Sequence, residues 1–186
     1  MIELGHEVDL KAPPGSDAHR EASGTPENAR RMTIIVTKGS LDWAYPPFIL
    51  ATTAAALGVE ATMFFTFYGL PLLLKKLDLQ ISALGNPAMK MPLLGQHIGL
   101  PNLVAALPGA DATATLMMKN LIKKKGVASI EELRGVAIES GVKLIACQMT
   151  MALFEYSTDD MISGVELGGA ATYIEAALKS NINLFI

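Results

Sequence analysis

The chain has 186 residues, a formal net charge of −3 and a hydrophobic fraction of 51%, which suits one globular domain with a sizeable core. The acidic balance excludes a global basic surface of the kind that binds nucleic acid. A single cysteine excludes an internal disulfide and suits a reducing compartment. The first ten residues are acidic where a signal peptide would be basic and then apolar, so the sequence predicts a cytoplasmic protein.

Residues 1–31 are polar and rich in proline, glycine, serine and charged side chains. A segment of this composition cannot bury enough apolar surface to offset the entropy of ordering it. We therefore predict a disordered leader at 1–31 and one folded domain at 32–186.

The first half of the predicted domain alternates between strand and helix patterns. A β-branched run at 33–37 predicts a strand, and the alanine-rich segment after it predicts a helix that begins at Ser40 or Asp42 and stops at Gly58. The segment "VEATMFF" predicts a second strand, and "GLPLLLKKL" a short helix. This alternation is typical of a parallel sheet with helices on its faces.

Residues 43–74 carry a single charge, that of Glu60, and hydropathy alone would indicate a membrane span. Gly58 divides the stretch, and Pro46 and Pro47 restrict where a helix can begin. The helical piece is then shorter than the roughly 20 apolar residues that a bilayer needs. A strand covered by helices on both faces has the same hydropathy, so we favour a soluble domain over membrane association.

Residues 78–110 interrupt the alternation, because proline and glycine recur and no period is sustained. This pattern predicts an irregular insertion with short helices, and long segments of this kind are often functional or oligomeric. Its apolar part, 85–110, is the candidate interface between copies of the chain. Two helices follow, the first capped by Asp111 and the second opened by a capping box of Ser129 and Glu132.

The last part of the chain returns to the alternating pattern. The segment "VKLIAC" predicts a strand that ends at Cys147, and "TMALFEY" predicts a short helix after it. A short strand near Val165, a helix over "AATYIEAALKS" and a final strand "INLFI" complete the series. We therefore predict a three-layer α/β/α domain with a mostly parallel sheet of about five strands.

Cys147 is the leading candidate for a reactive group. Active sites of α/β proteins lie at the carboxyl ends of the strands, and Cys147 ends one strand just before a helix. The N–H groups of a helix start favour the thiolate, which is the form that attacks sulfur and disulfides. The alternative is a buried, inert cysteine, which is common in protein cores.

Five further residues are candidates for a pocket around Cys147. Gln148 and Thr150 follow it and could donate hydrogen bonds to a thiolate, although Thr150 could instead cap the helix. His97 could assist proton transfer or serve as a structural hydrogen-bonding group. Trp43 and Tyr45 could line the same end of the sheet or belong to the core. No metal or organic cofactor site is predicted.

The sequence resembles the DsrE/DsrF/DsrH-like family of sulfur-relay proteins, and its peroxiredoxin-like DsrE branch above all. The segments that carry the resemblance are "MTIIVTKGSLDWAYPPFILATTAAALG", "GVKLIACQMTMALF", "GVELGGAATYIEAAL" and "INLFI", within residues 32–186. In this family, a cysteine at the end of the strand after the long middle region carries sulfur as a persulfide. That position matches Cys147.

The resemblance implies a sulfur carrier or sulfurtransferase that accepts sulfane sulfur on Cys147 and passes it to a partner thiol. It also implies TusA-like or rhodanese-like partners and a homo-oligomer. A peroxidase would need a thiol from outside, since the chain has no second cysteine. The alternative function is a non-catalytic binding or scaffold subunit of a sulfur-relay complex, either soluble or membrane-associated.

Overall fold

A computed structural model describes residues 29–81, 90–93, 96–99 and 107–186. Within these ranges the strands are β1 (Arg31–Val36), β2 (Glu60–Phe65), β3 (Lys90–Leu93), β4 (Gln96–Gly99), β5 (Lys143–Cys147), β6 (Val165–Gly168) and β7 (Ile182–Phe185). The α-helices are α1 (Leu41–Ala56), α2 (Ala110–Lys124), α3 (Ile130–Glu139), α4 (Gln148–Leu153) and α5 (Ala170–Leu178), with 3-10 helices at Phe67–Leu73 and Thr158–Asp160. Residues 1–28 of the predicted leader lie outside the described residues.

The main sheet contains five parallel strands in the order β6-β5-β2-β1-β7. The prediction of an α/β fold with a parallel sheet of about five strands is thereby confirmed. Strands β3 and β4 form a separate antiparallel hairpin in the segment where the pattern predicted short helices. Each strand of the hairpin has four residues, too few for an alternating pattern to be recognised among prolines and glycines.

Apolar side chains pack on both faces of the sheet, and the two cores differ in size. The larger core joins one face to α1, α2 and α3, and Met63 and Phe65 of β2 point into it. The smaller core lies under α5 and contains Phe64, Ile145 and Cys147 together with Tyr173. Helices therefore cover the sheet on both faces, which is the predicted three-layer arrangement.

Helix α1 follows the predicted limits closely. Ser40 is its N-cap residue, and Gly58 follows its end in the left-handed conformation, with φ 73°. The apolar stretch 43–74 is divided among α1, β2 and the first 3-10 helix. No helix in the described residues has the length and apolar character needed to cross a membrane.

The two helices after the insertion begin differently. The prediction that Asp111 caps α2 is wrong, because Gly109 is the N-cap residue and Asp111 lies in the first turn. The capping box at α3 is confirmed: the Ser129 N–H donates to Glu132 at 2.7 Å, and the Glu132 N–H donates to Ser129 Oγ at 3.2 Å.

Candidate functional site

Cys147 is the last residue of β5, between β2 and β6 in the sheet, and α4 begins at the next residue. The alternation of β5 directs Leu144 and Ala146 into the larger core, and Ile145 and Cys147 into the smaller one. Only 5% of Cys147 is exposed to solvent. The thiol therefore lies at the carboxyl edge of the parallel sheet, in the layer beneath α5.

Two threonine hydroxyls lie together beside Cys147. Thr66 follows β2 directly, and Thr150 lies in the first turn of α4 with 0% of its surface exposed. Their Oγ1 atoms are 3.0 Å apart, and the backbone N–H of Phe67 donates to Thr150 Oγ1 at 3.1 Å. Both hydroxyls and the backbone N–H groups of Met149 and Thr150 lie close enough to the Cys147 thiol to lower its pKa.

These contacts oppose the effect of burial on the Cys147 thiol. Burial is the largest single influence and raises its pKa, because an apolar environment disfavours the charged thiolate. The hydrogen bonds from Thr150, Thr66 and the Met149 N–H together outweigh burial, so the pKa lies below its ordinary value. The site thus favours the thiolate, which is the nucleophilic form.

The segment that supplies the Phe67 N–H is tightly confined. Phe67 has φ 45°, a left-handed conformation that costs a non-glycine residue about 1–2 kcal/mol. A Cβ atom on Gly69 would lie 2.2 Å from the Val36 carbonyl oxygen, and one on Gly39 would lie 2.2 Å from the Tyr68 carbonyl oxygen. Phe67, the residue in the strained conformation, is therefore held between two close backbone approaches, at Gly39 and Gly69, that leave no room for a side chain.

The side chains around this edge of the sheet are largely apolar and accessible. Met149 and Leu153, four residues apart on α4, are 64% and 59% exposed. Tyr68 is exposed and stacks on Phe154 with ring centroids 5.8 Å apart. Exposed apolar side chains therefore lie on the helix that follows Cys147 and on the 3-10 helix that follows Thr66.

Of the predicted pocket residues, Thr150 lies beside the Cys147 thiol. Gln148 is the first residue of α4 and is exposed. Trp43 lies in the first turn of α1, where the Lys38 ammonium is 3.3 Å from its ring centroid.

The remaining two predicted pocket residues are Tyr45 and His97. Tyr45 packs against the larger core and donates its hydroxyl to the Ala128 carbonyl at 3.1 Å. It lines a groove of about 740 Å³ between α1, α2 and α3. His97 belongs to β4, opposite Pro92, and its side chain lies outside the described residues.

Sequence reasoning missed Thr66 and Phe67. Thr66 follows a predicted strand directly, and the carboxyl ends of neighbouring parallel strands meet at one edge of a sheet. That signal becomes usable only once β2 is known to be the neighbour of β5. Among the described residues, no group of three or more histidine, cysteine, aspartate or glutamate side chains is placed to hold a metal ion.

The fold and the cysteine at its carboxyl edge define an α/β protein with a candidate thiol site. The sequence pattern of the DsrE/DsrF/DrsH-like family matches residues 28–185, and the chain belongs to this family. It is 57% identical over 157 residues to the sulfur carrier protein DsrE2 of Allochromatium vinosum, covering 84% of this chain and 98% of that protein. The predicted family membership is confirmed.

Two more distant similarities extend over most of the chain. The uncharacterized protein YrkE of Bacillus subtilis is 33% identical over 163 residues, which cover 86% of this chain and 99% of that protein. The crystal structure of the ychN protein from E. coli aligns with a TM-score of 0.47 at 12% identity, covering 84% of this chain and 99% of that one.

Proposed function

We propose that the chain is a sulfur carrier in which Cys147 accepts a sulfane sulfur as a persulfide and passes it to a partner thiol. The observation that carries this proposal is the Cys147 thiol at the edge of the sheet, whose hydrogen bonds outweigh burial and lower its pKa. The name of the Allochromatium vinosum relative, a sulfur carrier protein, supports the same conclusion.

Loading and release are two exchanges at sulfur with no net oxidation. In loading, the Cys147 thiolate attacks the outer sulfur of a persulfide, a new S–S bond forms, and the sulfur donor leaves as a thiolate. In release, an acceptor thiolate attacks the outer sulfur on Cys147, and Cys147 leaves as the thiolate. Because Cys147 is the only cysteine, the acceptor thiol must belong to another molecule.

A protein partner suits the surroundings of the thiol. Met149 and Leu153 on α4 and Tyr68 on the first 3-10 helix are exposed apolar side chains, of the kind against which a protein partner can pack. We expect TusA-like or rhodanese-like proteins as the sulfur donor and acceptor, and a homo-oligomeric carrier. The lone thiol suits a reducing compartment such as the cytoplasm.

Intact-mass spectrometry after incubation with inorganic polysulfide tests the carrier function. We expect the native chain to gain the mass of one or more sulfur atoms, to lose it on reduction, and to gain none as the Cys147→Ser variant. A second sample unfolded in urea is the control, because an inert buried cysteine reacts only after unfolding. Loading of the unfolded chain alone would refute the carrier and favour the scaffold subunit.

A further inference from the structure

We propose that the paired hydroxyls of Thr66 and Thr150 stabilise the Cys147 thiolate as it leaves, and so bias the site toward giving its sulfur away. The inference rests on the proposed carrier function and deepens it, because it assigns a direction to the exchange. Its basis is the 3.0 Å contact between the two hydroxyls beside Cys147, in which Thr150 Oγ1 also accepts a hydrogen bond from the Phe67 N–H.

The hydrogen bonds of the pair account for both hydroxyl protons. Thr150 Oγ1 accepts from the Phe67 N–H, and one of the two hydroxyl protons lies in the 3.0 Å contact between Thr66 and Thr150. Whichever threonine donates in that contact, the other retains its proton. In this inference the remaining proton is the one available to the Cys147 thiolate, since both side chains lie close enough to lower the pKa of the thiol.

The negative charge lies on different sulfur atoms in the unloaded and the loaded carrier. In the free thiolate the negative charge is on Sγ of Cys147, whereas in a persulfide Sγ is bonded to the outer sulfur, which carries the proton or the charge. Hydrogen bonds to a charged acceptor are stronger than those to a neutral one. A hydroxyl that donates to Sγ therefore stabilises the unloaded thiolate more than the loaded persulfide.

The balanced release step shows where this difference acts. Cys147–S–SH and R–S⁻ give Cys147–S⁻ and R–S–SH, so one S–S bond breaks, another forms, and the proton stays on the transferred sulfur. A thiol of lower pKa is the better leaving group and the weaker nucleophile. The hydroxyl pair thus accelerates release at some expense to the nucleophilicity needed for loading.

Phe67 acts through Thr150 as a positioning residue. Its N–H donates to Thr150 Oγ1, and the residue adopts φ 45°. Local strain of this kind persists only where the surroundings enforce it. This hydrogen bond fixes the position of the Thr150 hydroxyl beside Thr66. The backbone at Phe67 therefore holds one member of the hydroxyl pair in place.

The test measures loading and release separately in a Thr150→Val variant, which keeps the shape of threonine and removes the hydroxyl. The proteins are loaded with inorganic polysulfide, excess donor is removed, and glutathione is added as the acceptor while intact mass is followed. At a pH where Cys147 is ionised in both proteins, we expect release to slow by about tenfold, the size of a lost hydrogen bond to a charged acceptor. Loading should be unchanged or up to about threefold faster, since the remaining thiolate is more basic.

Two variants control for structure. Thr150→Ser retains the hydroxyl and should restore release. Thr33→Val removes another buried hydroxyl in the layer beneath α5, one that pairs with Tyr173 and Asn183 instead of the thiol, and should leave both rates unchanged. Equal slowing of loading and release in Thr150→Val, or the same slowing in Thr33→Val, would overturn the inference.

The pH profile of alkylation by iodoacetamide separates this inference from the carrier function. We expect the midpoint to move upward in Thr150→Val and not in Thr33→Val, whether or not the protein takes up sulfur. Normal loading of the native chain with unaffected release in Thr150→Val would refute the directional role alone. Failure of the native chain to load with polysulfide would refute the carrier function, and the directional role with it.

Discussion

The ionisation of Cys147 is coupled to the stability of the fold. Burial raises the pKa of the thiol, and the hydrogen bonds from Thr150, Thr66 and the Met149 N–H lower it by more. When the pKa of the thiol is lower in the folded protein than in the unfolded chain, ionisation of Cys147 stabilises the folded state. The added stability is fully present above the pKa of the unfolded thiol and is lost as the pH falls through the pKa of the folded one.

Unfolding by urea at a series of pH values tests this coupling at the residue scale. The free energy of unfolding of the native chain, minus that of Cys147→Ala, should increase as the pH rises through the pKa of the folded thiol, and level off above that of the unfolded thiol. The contributions of the other titrating groups to the free energy of unfolding cancel in this difference. A difference that decreases toward alkaline pH would show that burial prevails over the hydrogen bonds.

The first 3-10 helix is the element that positions the hydroxyl pair. It begins at Phe67, and its backbone is tied to α3 by the buried guanidinium of Arg134, which donates to the carbonyls of Leu72 at 3.0 Å and Leu74 at 2.8 Å. Burial lowers the pKa of Arg134, an effect that the nearby Glu131 opposes. At its other end, Gly69 lies against Val36 with no room for a side chain.

Substitution of Gly69 by alanine tests the element. The new Cβ would meet the Val36 carbonyl oxygen at 2.2 Å, so the segment must shift, and we expect a loss of about 1–3 kcal/mol in the free energy of unfolding. Displacement of the Phe67 N–H from Thr150 should also raise the alkylation midpoint of Cys147. Chemical denaturation and iodoacetamide kinetics measure the two effects.

The matched control for that substitution is Gly135→Ala. Gly135 lies within α3, and a Cβ there would meet nothing within 4 Å. Alanine in a helix is favoured over glycine by about 0.5–1 kcal/mol, so this variant should be slightly more stable than the native chain. Equal free energies of unfolding for Gly69→Ala and Gly135→Ala would contradict the close approach at Gly69.

The two faces of the sheet have separate roles in the whole molecule. The larger core, under α1, α2 and α3, contains most of the buried side chains, whereas the smaller core holds the thiol beneath α5. Phe48 of α1 and Phe65 of β2 meet in the larger core with ring centroids 5.9 Å apart. Stability thus depends mainly on the face that does not carry Cys147.

Truncation of Phe48 to alanine tests this division. The side chain is fully buried, and loss of a phenylalanine from a core typically costs about 3–5 kcal/mol. Ile49→Ala, at the exposed neighbouring position, should change the free energy of unfolding by less than about 1 kcal/mol. Thermal unfolding of both variants provides the comparison, and similar losses would contradict the larger core as the main source of stability.

Much of the fold was predictable because local patterns report burial directly. Alternating and β-branched runs predicted β1, β2 and β5, and the capping box of Ser129 and Glu132 predicted the start of α3. The hairpin of β3 and β4 was not predicted, since its strands are short. The pattern predicts Asp111 as a cap and not as a first-turn residue, because an aspartate suits either position of a helix.

The sequence by itself determined that Cys147 ends a strand and that a helix follows, because both depend on neighbouring residues. Only the tertiary structure decided what surrounds the thiol. Thr66 reaches Thr150 because β2 pairs with β5, although 84 residues separate the two threonines. Tyr45 lies in another groove because α1 packs on the opposite face of the sheet. Which strands pair, and which face a helix covers, depend on the packing of the whole chain, which no local pattern records.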